Sequence, residues 1–532
     1  MPRSVMEHSF AEVPRADIPR SSFNRSHGVK TTFDADFLVP VLVDDIMPGD
    51  TFNVDMHFFA RLATPLFPVM DNMHIESFFF FVPYRLLWDN WEKMHGAQDD
   101  PADSIDFTVP TRSVSGPVTA GSIYDYMGIR QGVNFATAGA ALDINALPFR
   151  AYNLIWNEWF RDENLQDSLD VETGNTDSTT YVIKKRGKRH DYFTSSLPWP
   201  QKGGAVSVPL GATAPVLGLG VLQGANPEDP GPYAVIDAGG NDSWTDVHRS
   251  SVQTFHLETE GPDVGDKPTL RADLSSAGST INAIRLAFQT QRLLERDARA
   301  GTRYNEMILA HFGVTVPDFR VQRPEFLGGG SSPLNITPVA QTTYQGTPTD
   351  EDAKGALAAF GTVSGRHGFT KSFVEHGVLI GLVNARADIT YSQGVERYFW
   401  KSTRYDFYYP VLAQIGEQSV LNRELYVQGV TATDEAVFGY QERYAEYRYK
   451  PSRLTGLMSV DATSSLSAWH LSEDFSSLPT LGDTFIQSNS GAPLDRAIAV
   501  ATEPHFILDA YFDMKCARPM PLFGIPGNLD HF

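Results

Sequence analysis

The chain predicts a mainly β fold, a β-sandwich or jelly roll with enlarged loops. Three observations carry this. Aromatic residues make up 12% of the 532, with 34 Phe and 20 Tyr, and Gly (43) and Pro (34) break the chain repeatedly; aromatic strands punctuated by turn residues are the composition of β proteins. Several segments alternate apolar and polar residues with the period of a half-buried strand. No fixed-period repeat is present, which disfavours propellers and solenoids.

Residues 1–30 form a basic stretch on an acidic chain. Arg3, Arg15, Arg20, Arg25 and Lys30 face only Glu7, Glu12 and Asp17, and Pro2, Pro14 and Pro19 oppose a continuous helix. This reads as an arm, its five cations candidates for nucleic-acid contact and otherwise part of a tie between neighbouring subunits. Residues 31–200 then begin the sandwich, with helical insertions. Thr51–Phe58 sets Phe52, Val54, Met56 and Phe58 against Asn53, Asp55 and His57. Ile75–Val82, with four consecutive phenylalanines from Phe78 to Phe81, is apolar on both sides. It predicts a strand covered on both faces, by this chain or a neighbouring subunit. Phe149, Tyr152, Ile155, Trp156, Trp159 and Phe160 recur at helical spacing.

Residues 201–280 are rich in Gly, Pro, Ala, Asp and Ser and read as a surface insertion. Shorter irregular stretches are expected at 98–139 and 328–368. Residues 281–532 are expected to complete the sandwich, with a helix over Ile281–Arg299, a second near Thr302–His311, and strand patterns at Val378–Val383, Val437–Lys450 and Phe506–Cys516.

Charge and composition exclude several functions. At −21 the chain as a whole is no nucleic-acid binder, so such contact needs local basic patches. The single cysteine, Cys516, forbids an intrachain disulfide and a Cys-rich zinc site; on its apolar strand face it reads as a packed thiol. No secretory leader or membrane-spanning run is visible.

Metalloprotease, nucleophile-elbow and phosphate-loop motifs are absent. Gly218, Gly220 and Gly224 miss the dinucleotide spacing by one place. Tyr181 and Lys185 match a nicking-enzyme spacing without its metal histidines. Neither is read as a site, and no cofactor is expected. Divalent cations at subunit contacts remain compatible with the 64 carboxylates, but no ligand can be named.

The sharpest polar feature is Lys184, Lys185, Arg186, Lys188 and Arg189, five cations in six positions, flanked by Tyr181, Tyr192 and Phe193. Cations attract phosphate and aromatic rings stack on unpaired bases. Single-stranded nucleic acid and acidic neighbours across a subunit interface are equally good partners for the run. Aromatic strings such as Trp88–Trp91, Tyr408–Tyr409 and Tyr444–Tyr449 are read as core or interface packing before sugar binding.

Residues 22–33 (SFNRSHGVKTTF), 60–72 (ARLATPLFPVMDN), 78–91 (FFFFVPYRLLWDNW), 147–165 (LPFRAYNLIWNEWFRDENL), 303–329 (RYNEMILAHFGVTVPDFRVQRPEFLGG), 438–456 (FGYQERYAEYRYKPSRLTG) and 518–527 (RPMPLFGIPG) carry a family likeness. In order and wording they resemble the major capsid proteins of the Gokushovirinae, a branch of the Microviridae. The resemblance implies a single eight-stranded viral jelly roll and sixty copies in a T=1 shell around circular single-stranded DNA, assembled in a bacterial cytoplasm. It also implies a threefold protrusion that meets a host receptor, for which 201–280 is the candidate. The implied partners are the chain itself, an internal scaffolding protein, a pilot or minor capsid protein, a small basic DNA-binding protein, the DNA and the receptor. Sixty chains at −21 total roughly −1,260, so cations and the basic protein must balance the genome. The alternative from another class is a glycan-binding or glycan-hydrolysing β-sandwich, which would want a leader and a defensible carboxylate pair.

Overall fold

The computed structural model describes residues 19–135, 137, 141–207, 280–342 and 357–523, and the backbone alone of 216–217, 220–221, 257–258 and 271–272. Residues 1–200 and 301–532 form one compact unit and 201–300 another.

The larger unit is built on ten strands of two facing sheets. They are β1 (Ser21–Asn24), β2 (His27–Phe33), β3 (Val39–Ile46), β4 (Thr51–Leu62), β5 (Met73–Pro83), β6 (Glu325–Pro333), β7 (Asn335–Ala340), β8 (Leu357–Ser372), β9 (Gly377–Ala387) and, after a long connector, β12 (Phe506–Arg518). In the first sheet β12 pairs with both β1 and β2, then come β4, β8 and β7 in turn; the second runs β6, β5, β9, β3. All these pairings are antiparallel. If β1 and β2 count as one strand broken at Arg25–Ser26, and β7 as an added edge, the sheets interleave as first-eighth-third-sixth and second-seventh-fourth-fifth. That is the jelly-roll order.

Alternation decides the packing. Along β4, Phe52, Val54, Met56, Phe58, Ala60 and Leu62 are buried; Phe506, Leu508, Ala510, Phe512, Met514 and Cys516 match them on β12. They meet Ile75, Phe79 and Phe81 of β5 and Leu379, Val383 and Ala385 of β9 in one core between the sheets. His367 of β8 also lies in this interior. Its ring nitrogens bond the Ser77 hydroxyl at 2.7 Å and the Ser332 hydroxyl at 3.1 Å, and burial lowers its pKa.

The second sheet is buried on its other side too. Phe80, Val82, Val378, Ile380 and Leu382 pack against helix α1 (Leu147–Ile155), through Phe149, Tyr152 and Ile155, and against Leu87 and Trp88. The strand expected to be covered on both faces therefore is, and by this chain itself.

The expectation of an irregular stretch at 328–368 is overturned at both its ends, where 325–333, 335–340 and 357–372 are strands; 343–356 lie outside the described residues. Glycines in these strands are required by close packing. A Cβ at Gly329 would strike the carbonyl oxygen of Ser77, and one at Gly330 the ring of His367. Likewise Val437–Lys450 is strand only over β11 (Val437–Glu442), which pairs with β10 (Glu417–Leu421), and then turns.

Two connectors dwarf the rest: 84–324 between β5 and β6, and 388–505 between β9 and β12. Within the smaller unit, α2 (Ile281–Ala300) exposes Ile281, Leu286, Phe288 and Leu293, and the two-residue strands pair 216–217 with 271–272 and 220–221 with 257–258. This helix, expected with the following strands, falls in that unit.

Candidate assembly and nucleic-acid surfaces

The strand β1 begins inside the stretch read as an arm, so its last three cations sit on the first sheet. Arg20 donates to the Gly49 carbonyl. Arg25 clasps Asp44 with both terminal nitrogens. Lys30 lies 3.3 Å from Asp509 on β12, with both side chains well exposed. Arg3 and Arg15 lie outside the described residues.

The basic run is a strap across the larger unit. Leu38 N–H donates to the Lys184 carbonyl (2.9 Å), Arg186 N–H to Asp36 (2.9 Å) and Lys188 N–H to Ile486 (2.8 Å). Lys184 N–H donates to the Tyr152 hydroxyl and Trp156 Nε1 to the Lys185 carbonyl. Side chains then part in two ways. Lys184 stands over the Trp156 ring at 5.6 Å and Lys185 over Phe37 at 5.4 Å, both partly exposed. The other three reach acidic groups. Lys188 meets Glu473 at 2.8 Å, each side chain under a tenth exposed. Arg186 pairs with Glu76; Arg189 reaches Glu76 at 3.4 Å and Asp388 at 3.1 Å; Arg386 reaches Glu76 at 3.1 Å.

One carboxylate thus holds three guanidiniums. Burial pushes the Glu76 carboxyl up, but Arg186, Arg386 and Arg189 outweigh it and hold it below its ordinary range. Burial, with Arg386 beside it, brings Arg186 down to about 10, still protonated near neutrality.

Within this chain, then, Arg186, Lys188 and Arg189 already have acidic partners. Tyr181, Tyr192 and Phe193 are each under a tenth exposed and offer no face to a base. The sequence reading missed Glu76, Asp388, Arg386 and Glu473. One signal was present: a glutamate inside a strand apolar on both sides demands a buried counter-charge.

Among the described residues nothing covers the outer face of the first sheet. Asn53, His57, Phe59 and Arg61 of β4, Ser364, Arg366 and Thr370 of β8, and Ile507, Asp509, Tyr511 and Lys515 of β12 point outward and are exposed. Its charges pair locally, Arg366 with Asp55 at 2.8 Å and Lys515 with Asp513 at 3.9 Å. Among the described residues no group of three His, Cys, Asp or Glu is placed to hold a metal ion, and no helix is long and apolar enough to cross a membrane.

Comparison with known proteins agrees with this architecture. Residues 11–528 match the family described as "Capsid protein (F protein)". The chain is 45% identical to "Capsid protein VP1" of Bdellovibrio phage phiMH2K, over 99% of this chain and 98% of that one. It is 42% identical to "Capsid protein VP1" of Chlamydia phage 1 and 33% identical to that of Spiroplasma virus 4, each over 98% of this chain and at least 97% of the relative. A jelly roll with oversized connectors, alike from end to end to three phage coat proteins, belongs to the F-protein family of phage capsid proteins, within its Gokushovirinae branch, and is a major capsid protein.

Proposed function

We propose that sixty copies of this chain close into a T=1 icosahedral shell around circular single-stranded DNA, and that the chain acts by assembly and not by catalysis. The observation that carries this is the jelly roll with two long connectors, joined to full-length likeness to the phage coat proteins. A bare sandwich has little surface for several distinct neighbours; connectors supply contact area, and symmetry repeats each weak contact until closure makes them collectively strong. Scaffolding, pilot and small basic DNA-binding proteins are the further partners, because a shell at −21 per chain cannot neutralise its genome. Assembly takes place in the bacterial cytoplasm. Arg3, Arg15, Lys30, Lys184 and Lys185 remain the proposed DNA contacts.

Co-expression with the neighbouring phage genes should give uniform shells by negative stain, and ultraviolet cross-linking within them should mark 184–185 and not Arg186 or Lys188. A chain that stays monomeric beside its partner proteins would sink the reading.

The insertion at 201–280 is the proposed threefold protrusion and receptor contact. It lies in the separate 201–300 unit, and little of it falls within the described residues. Exchanging 201–280 between related phages should exchange their adsorption; adsorption that follows the rest of the chain would remove this role.

A further inference from the structure

The connector 388–505 carries an aromatic surface that nothing among the described residues covers. Residues 397–415 include Tyr398, Phe399, Trp400, Tyr405, Phe407, Tyr408 and Tyr409, and form only the short 3-10 turns 397–400, 404–406 and 410–414. The segment lies on the part of the chain that contains β10 and β11. Val395 N–H donates to the Arg423 carbonyl at 2.9 Å, Tyr408 N–H to the Tyr447 hydroxyl at 3.3 Å, and the Tyr444 hydroxyl to the Tyr405 carbonyl at 3.2 Å. Rings join it into one patch: Tyr408 lies 5.3 Å from Tyr444 and 6.1 Å from Tyr447, and Lys401 stands 3.9 Å over Tyr447.

The outward sides of these residues are bare. Tyr398 is 68% exposed, Phe399 64% and Val411 86%; Tyr405, Phe407, Tyr408, Tyr409, Ile415 and Tyr447 are each 41–58% exposed. Side chains of this size leave on the order of 1,000 Å² in water. Monomeric soluble proteins rarely leave so large an apolar patch uncovered. It is close to what one partner contributes to a standard interface, and the Tyr, Trp and Arg composition is that of interface hot spots. At the edge of the patch lies a cavity of about 420 Å³, its lining shared between apolar groups such as Tyr398, Phe399, Tyr447 and Leu454 and charged ones such as Glu396, Lys401 and Arg453; its aromatic wall would take an apolar side chain.

Charge identifies the occupant. Residues 396–455 hold eight Lys or Arg and eight Asp or Glu, a neutral stretch on a chain whose total is −21. Two such chains repel over most approaches, and a neutral aromatic surface is where they can meet without that cost. We propose that the 397–415 surface is a subunit contact filled by a second copy of this chain, an apolar side chain of that copy seating in the cavity. This rests on the shell-forming reading and names one of its contacts.

The test is the Tyr398→Asp, Val411→Asp double variant, co-expressed as for the wild type. Both replaced side chains are largely exposed, so circular dichroism and the thermal midpoint should stay at wild-type values while particle yield falls at least tenfold. Wild-type yield from the folded variant overturns the proposal. Independently, hydrogen exchange over 397–415 should be slower in particles than in unassembled chain; equal exchange also overturns it. If the wild type itself forms no particles, the shell reading fails and this contact with it. A variant that assembles beside an assembling wild type removes this contact alone.

Discussion

Replacing Arg150 by methionine should cost the folded chain about 3–5 kcal/mol, read as a lowered denaturant midpoint of the unassembled protein. Arg150 projects from α1, and neither its side chain nor that of Asp177 is exposed at all. Nε donates to Asp177 at 2.8 Å, Nη1 to the carbonyls of Leu87 and Gly174 at 3.0 Å each, and Nη2 to the Thr176 carbonyl at 2.8 Å. Asp177 also accepts from the Tyr181 hydroxyl at 2.7 Å. Methionine fills the volume but leaves a buried carboxylate without its cation and three carbonyls without donors. Lysine should rescue little, since one ammonium cannot occupy the planar fork. The guanidinium ties the loop at 174–177 to the helix that covers the second sheet. A loss below about 1 kcal/mol would mean that water enters and replaces it.

The two halves of this structure were unequally legible in the sequence. Period-two alternation exposed β4 and β12 directly, because each has one wet face and one dry one. The phenylalanine run of β5 announced burial on both sides but not the cover, since α1 lies some seventy residues downstream. Local composition misled at β6 and β8. Gly329 and Gly330 look like a loop until their partners Ser77 and His367 are known, and tertiary packing overrides propensity there. The strand order is beyond any local pattern: β4 pairs with β12, more than 440 residues later, so the patterns led only as far as a sandwich or jelly roll, and the single eight-stranded jelly roll came from family likeness. The partners of the basic run were hidden for the same reason: the carboxylates that meet Arg186, Lys188 and Arg189 are scattered over Glu76, Asp388 and Glu473. The aromatic strings divided in burial: Trp88 is wholly buried, while Tyr408 and Tyr409 stand about half exposed.

Glu76→Gln is the second large effect expected. Glutamine keeps the shape but removes the charge that Arg186, Arg189 and Arg386 share, leaving three guanidiniums crowded in a largely buried site. Truncating one partner of a buried pair costs about 3–5 kcal/mol. Glu76 lies on β5, Arg386 on β9, and Arg186 and Arg189 on the long connector between β5 and β6. The carboxylate therefore fastens that connector to the second sheet, and its loss should loosen the connector before it melts the sandwich. Acid supplies the check. The folded-state pKa of Glu76 lies below its ordinary 4.5, so its stabilisation is complete above pH 4.5 and is lost as pH falls through the folded value. Denaturant midpoints of wild type and variant should differ most near pH 7 and converge in acid. A constant gap down to pH 3 would show that Glu76 acts by shape and hydrogen bonding, with no contribution from its charge.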